Sequence, residues 1–136
     1  MKEKACLDTG VITLFYTKDV SPKIERLIED IQKEKIEALV ARPVIIECYF
    51  HLCKNKGNLF AETCLNNFQS DIPHTLMDLN RALEFKAGAL KCQYRDSLSY
   101  IDCATIALAL QKNAILHTTE KELPDIPRLK VKKYYF

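Results

Sequence analysis

The apolar positions of the chain change period several times, and each change predicts an element. Ala5-Cys6-Leu7 is a short apolar run that stops at Asp8-Thr9-Gly10, as a buried strand does when it meets a turn or helix cap. Ser21-Pro22 has the form of an N-cap followed by proline at the first helical position, and Ile24, Leu27, Ile28 and Ile31 then recur at three- and four-residue spacing. That spacing predicts an amphipathic helix. Ile36 to Ala41 reads as a second strand, and Pro43 opens a helix that runs to Lys56, where Gly57 stops it. A further helix fits Leu59 to Phe68, and Pro73 breaks the pattern. Asp78 is placed to cap a helix from Leu79 to about Tyr94, and Ser99 one from Tyr100 to Lys112. Ala114 to His117 is strand-like, and Leu129-Lys130-Val131-Lys132 alternates as an edge strand does.

Strands alternating with helices predict an α/β layer fold with a small, mostly parallel central sheet flanked by helices. In such sheets the functional crevice lies beyond the carboxyl ends of the strands, so acidic residues placed there become candidates. At 136 residues the chain predicts a single domain spanning 1–136, and 48% hydrophobic residues with only 3 Gly and 5 Pro leave little room for a disordered tail. The longest uncharged apolar-rich stretch, Cys103 to Gln111, is far shorter than the roughly 20 residues of a membrane helix, and the N-terminus lacks a signal-peptide core. A cytoplasmic protein with no membrane anchor is expected. The six cysteines, at 6, 48, 53, 64, 92 and 103, include no Cys-x-x-Cys pair and read as reduced core residues. Net charge is only +2, but Lys121, Arg128, Lys130, Lys132 and Lys133 outnumber Glu122 and Asp125 near the C-terminus. Such a tail suits phosphate contact or a lysine-protected edge strand equally well.

Four carboxylates are sent toward the predicted crevice. Asp8 closes the first strand, Glu120 follows the strand at 114–117, Glu47 lies early in the helix after the second strand, and Asp102 lies in the first turn of the helix from Tyr100. Each has a purely structural alternative: Asp8 as a helix cap, Asp102 as the capping-box partner of Ser99, Glu47 as a charge at a helix N-terminus, Glu120 as a turn residue. The flanks argue for more. Glu47 interrupts Val44-Ile45-Ile46 and Cys48-Tyr49-Phe50, and Asp102 interrupts Tyr100-Ile101 and Cys103-Ala104. Buried carboxylates are rare unless paired or bound to metal. Two of them about 4 Å apart repel by roughly 4 kcal/mol at an effective dielectric near 20, and only Arg42 and Arg95 flank the apolar runs. An oxygen-only site suits Mg²⁺ or Mn²⁺, and the chemistry that follows is metal-assisted phosphodiester hydrolysis. His51, four residues after Glu47, raises a mixed His and carboxylate site for zinc or iron, which the isolated His74 and His117 do not complete. Gly10 stands where aspartyl-phosphate hydrolases need a second Asp, and no Gly-rich phosphate loop is present.

At these residues the chain resembles the PIN-domain ribonucleases, and among them the short VapC-type toxins. The resemblance rests on Cys6-Leu7-Asp8-Thr9-Gly10-Val11-Ile12, on Pro43-Val44-Ile45-Ile46-Glu47-Cys48-Tyr49, on Leu98 to Ala107 around Asp102, and on Ala114 to Leu123 around Thr118-Thr119-Glu120. It implies a three-layer sandwich and a metal-dependent endoribonuclease with Asp8, Glu47, Asp102 and Glu120 as catalytic residues and metal ligands. Thr9, Thr118 and Ser99 would support them. The family usually has Asp where this chain has Glu120, one methylene longer, and Glu122 is a substitute candidate. Mg²⁺ or Mn²⁺ as cofactor, an RNA substrate, a protein antitoxin and a homodimer are the implied partners. The antitoxin is expected to cover the crevice with an Arg or Lys among the carboxylates, in a groove supplied by exposed apolar helices near the N-terminus, including the face of Ile24, Leu27, Ile28 and Ile31 if that face is not wholly core. The alternatives are a PIN-like RNA- or protein-binding domain without catalysis, which the unusual Glu120 favours, and an RNA-processing nuclease outside toxin-antitoxin systems.

Overall fold

Two runs with no polar alternation form the heart of the sheet: Ala5-Cys6-Leu7 and Ala38-Leu39-Val40-Ala41 are buried at every position, as strands covered on both faces must be. The computed structural model describes residues 2–17 and 20–135; Met1 and Phe136, which bound the expected domain, lie outside them with Lys18 and Asp19. The elements run β1 (Glu3–Leu7), α1 (Thr9–Phe15), α2 (Pro22–Gln32), β2 (Ile36–Ala41), α3 (Arg42–Lys56), α4 (Asn58–Asp71), β3 (Thr75–Met77), α5 (Arg81–Gln93), α6 (Tyr100–Lys112), β4 (Ile115–Thr118) and β5 (Lys130–Lys133). The strand order is β3-β2-β1-β4-β5 with every pairing parallel.

This order fixes the layers. From β1 through α1 and α2 to β2, and on through α3 and α4 to β3, the chain steps in one direction; α5 and α6 then carry it back past both strands to β4. Right-handed crossovers put the first four helices on one face and α5 with α6 on the other. Accordingly α6 packs against β1, β2 and β4 with α5 behind it, while α2 lies against β2 and α1 against α3. The reversal of direction falls between β1 and β4, which is where a parallel sheet opens a crevice at its carboxyl edge.

Local signals account for most boundaries. The Ser21 side chain accepts from Lys23 N–H ahead of Pro22, and Ile24, Leu27, Ile28 and Ile31 all point into the core. The face is thus wholly core, and it supplies no partner groove. The exposed large apolar residues are elsewhere, among them Ile46 (72% exposed) and Phe50 (58%) on α3 and Leu59 (79%) on α4. Asp78 does not cap α5. Asn80 does so, accepting from Leu83 N–H, and Asp78 instead pairs with Arg42. The three-residue edge strand β3 was not anticipated, because Pro73 and the partly exposed Thr75-Leu76-Met77 carry no alternation long enough to read. All six cysteines are free thiols, and four are buried, but Cys53 is half-buried and Cys92 is exposed, which corrects the reading of all six as core. Cys92 lies nine residues after Leu83, half a helical turn from the buried stripe of α5. Among the described residues no helix is long and apolar enough to cross a membrane.

Candidate active site

Asp8 is the first residue past β1, and its backbone N–H continues the sheet by donating to His117 O of β4 at 3.0 Å. Its side chain is 8% exposed and held at both oxygens: Thr9 N–H donates to Oδ1 at 2.8 Å, and the Thr118 hydroxyl donates to Oδ2 at 2.7 Å. Burial pushes this carboxyl up from 3.8 to about 6; the bonds from Thr118 and Thr9 offset part of the rise, while the charges of Asp102 and Glu47 add to it. The sequence-predicted helix cap is therefore real, and so is the repulsion expected of a carboxylate cluster.

The other acidic residues arrive from three directions. Glu47 is half-buried on α3, and among the described residues its side chain has no hydrogen bond or ion pair. Asp102 forms the capping box of α6: its Oδ2 accepts from Ser99 N–H at 3.0 Å and Ser99 Oγ accepts from Asp102 N–H at 3.1 Å. Among the described residues its second oxygen has no hydrogen bond, and Asp102 lines the crevice. Glu120 follows β4, with its N–H donating to Thr118 Oγ1 at 3.0 Å; its side chain is exposed at the rim. Even there its carboxyl is raised, first by desolvation and then by Asp102, Glu122 and Glu47. All four carboxylates line one crevice of about 510 Å³, together with Ser99 and Thr9. Glu122 is exposed and does not line it.

Among the described residues no lysine or arginine lines the crevice; Arg42 is held by Asp78, and Arg95 lies outside. Carboxylate and hydroxyl oxygens without a cation are the donor set of Mg²⁺ or Mn²⁺. The Thr9 hydroxyl, buried at the same place, has no hydrogen-bond partner among the described residues, a polar atom left for a ligand or water to satisfy. Among the described residues no three His, Cys, Asp or Glu side chains are close enough to share an ion directly. The donors therefore fit an open site, in which an ion keeps waters and touches one or two carboxylates, and not a closed protein cage.

Thr118 is fully buried and does not face the crevice, so its part is to orient Asp8 and the turn at Glu120. Thr119 was missed by sequence reasoning. It faces the crevice against Gly10, where a Cβ would fall 1.9 Å from Thr119 Oγ1. The signal was available: a glycine inside the first turn of a helix, two residues past Asp8, marks a close approach by another segment. His51 and Asn55 also line the crevice, one and two turns along α3 from Glu47. His117 does not; it is buried beneath, with Nδ1 2.7 Å from Tyr134 Oη, and burial aided by Lys132 holds its imidazole down to about 4.

A crossover-reversed parallel sheet with an acidic crevice at its switch point defines a class, and the sequence agrees: a PIN domain family model matches residues 5–129, so the chain belongs to the PIN-domain family. Among solved structures it is similar to VapBC2 from Rickettsia felis bound to a DNA fragment from its promoter, at 20% identity over 96% of this chain and 98% of that one, with a TM-score of 0.75. DNA-bound VapBC from Salmonella typhimurium matches at 14% identity over 98% of each chain, with a TM-score of 0.72. VapC20 of Mycobacterium tuberculosis, a sarcin-ricin loop cleaving toxin, matches at 14% identity over 82% of this chain and 85% of that one, with a TM-score of 0.66. At these identities the likeness is one of fold. No curated protein sequence matches the chain.

Proposed function

We propose that the chain is a metal-dependent endoribonuclease of the VapC toxin type, acting at the crevice of Asp8, Glu47, Asp102 and Glu120. The observation that carries this reading is the gathering of four carboxylates at the switch point with, among the described residues, no lysine or arginine beside them. Asp8, Glu47 and Asp102 would hold Mg²⁺ or Mn²⁺, one or two of them directly and the rest through its waters, with Glu120 at the rim. When bound, such an ion makes water a better nucleophile and offsets the charge that builds on the phosphorus. The protein's own part is placement. Thr118 and Thr9 N–H fix Asp8, the Ser99 box fixes Asp102, and the unpartnered Thr9 hydroxyl is available to a phosphate oxygen or water. The buried Thr118 supports this from behind, and Glu122 remains a weaker stand-in for Glu120.

An RNA substrate, a protein antitoxin, a homodimer and a cytoplasmic setting complete the reading. The named neighbours are toxin-antitoxin complexes, and the exposed Ile46 and Phe50 beside the crevice give a partner or second copy an apolar surface. A PIN-fold binding domain without catalysis is the second reading, favoured by the exposure of Glu120 and the open spacing of the carboxylates. RNA cleavage assayed with Mg²⁺ or Mn²⁺, with EDTA and with the Asp8→Asn and Asp102→Asn variants separates them. Cutting that needs the ion and both carboxylates supports the nuclease; RNA binding unaccompanied by cutting supports the binding domain.

A further inference from the structure

The carboxylates occupy one end of the crevice only. From there it continues between α1 and α3, and the character of its walls changes. On α3 the residues one and two turns from Glu47 are His51 and Asn55, facing Thr13 of α1 and Thr17 just past its end, with Leu14 and Leu52 between. Glu47 to Asn55 spans about 12 Å of helix axis. Among the described residues no carboxylate, lysine or arginine lines this arm.

The polar atoms here are arranged in complementary kinds. Thr13 Oγ1 donates to Thr9 O at 3.1 Å and Thr17 Oγ1 to Leu14 O at 2.8 Å, so both hydroxyls have spent their hydrogens and offer the arm only lone pairs. Across from them the His51 and Asn55 side chains, among the described residues, have no hydrogen bond or ion pair; the His51 ring meets only Phe50, at 5.4 Å. They supply donors and acceptors that nothing in the fold uses. Uncharged hydroxyl and amide groups over leucine, which are what the described walls present, are not the charge-matched contacts of a second phosphate. Acceptors on one side, an amide and an imidazole on the other and leucine at the base do suit the edge and face of an unpaired nucleobase, which sequence-specific RNA recognition reads by such contacts.

We propose that this arm is a nucleobase subsite, in which His51 and Asn55 read the base next to the phosphodiester held at the carboxylates. The inference rests on the ribonuclease reading and deepens it. The test uses a pool of single-stranded RNA with random sequence, read in two ways. Cut ends are sequenced after digestion by the wild type and by the His51→Ala, Asn55→Ala and doubly substituted proteins, and bound octanucleotides are sequenced after capture on the Asp8→Asn protein with and without the same changes. Both side chains are exposed, so melting temperatures should not move. The wild type should prefer one base at one position beside the cut; the double variant should lose that preference by about tenfold or more while the rest of the profile stays. Asn55→Asp, which exchanges donors for acceptors, should change which base is preferred. If cutting persists with an unchanged profile in the double variant, the subsite is wrong and the nuclease reading stands. If the profile is unchanged and only binding of a co-expressed antitoxin weakens, the arm takes a peptide and the proposal is overturned. If no form of the protein cuts or selects RNA, while Asp8→Asn behaves as the wild type, the ribonuclease reading falls and the subsite with it.

Discussion

The Thr118 hydroxyl donates to Asp8 Oδ2 at 2.7 Å across 110 residues of sequence, and Thr118 Oγ1 itself accepts from Glu120 N–H at 3.0 Å. One buried side chain thus joins the end of β1 to the turn after β4. Thr118→Val should leave an Asp8 oxygen and a backbone N–H without partners, at a cost of about 1–3 kcal/mol, and should move the Asp8 carboxyl further above 6. Thr118→Ser keeps both bonds. Urea denaturation in EDTA and an NMR titration of the Asp8 carboxyl measure the two effects; an unmoved midpoint in the valine variant would show that Thr118 does not hold the carboxylate.

Two buried groups give the metal-free protein opposing pH dependences. Asp8 rises from 3.8 to about 6 on folding, so its contribution is fully present below 3.8 and is lost as pH rises through 6. His117 falls from 6.5 to about 4, so its contribution is fully present above 6.5 and is lost as pH falls through 4. The windows overlap, and the wild type should change little in stability between them. Asp8→Asn removes one side of the balance: the variant should be more stable than the wild type at neutral pH and lose that lead as pH falls from about 6 to 3.8. Parallel stability curves for the two proteins in EDTA would contradict this.

Gly10 and Thr119 should be energetically coupled. Gly10→Ala places a Cβ 1.9 Å from Thr119 Oγ1 and forces that side chain aside, with a destabilisation of about 1–3 kcal/mol. Thr119→Ala relieves most of the clash. A double-mutant cycle should therefore show the pair costing less than the sum of the single changes, and additive effects would mean the close approach is not maintained in solution.

How much of this was written in the sequence depends on the range of the interaction involved. The parallel sheet, the caps at Ser21 and Ser99 and the positions of Asp8, Glu47, Asp102 and Glu120 at one edge follow from local patterns, because strand ends and helix starts share that edge whatever packs around them. What escaped notice depends on contacts between distant segments. β3 exists because β2 offers it an edge at Leu39 to Ala41, which three residues alone do not announce. Asn80 displaced Asp78 as the cap of α5 while Asp78 was drawn to Arg42, 36 residues away. Thr118 and Thr119 are adjacent in sequence but face opposite ways, one behind Asp8 and one into the crevice, and only the assembled sheet says which is which.

Mg²⁺ or Mn²⁺ should stabilise the fold by relieving the repulsion at Asp8. At ten times the dissociation constant, mass action gives about 1.4 kcal/mol. Thermal melts with and without millimolar ion should show the shift in the wild type and none in Asp8→Asn. A wild-type melt indifferent to both ions would count against the metal site.

The central claim, that the carboxylate crevice hydrolyses RNA, is tested most directly by the rate of cleavage of single-stranded and loop RNA with Mn²⁺ or Mg²⁺, compared between the wild type and Asp8→Asn. The account predicts cutting that EDTA abolishes and that Asp8→Asn reduces by about a hundredfold or more with the fold intact. Equal rates for the two proteins, or no cutting by the wild type across a broad RNA panel, would contradict it.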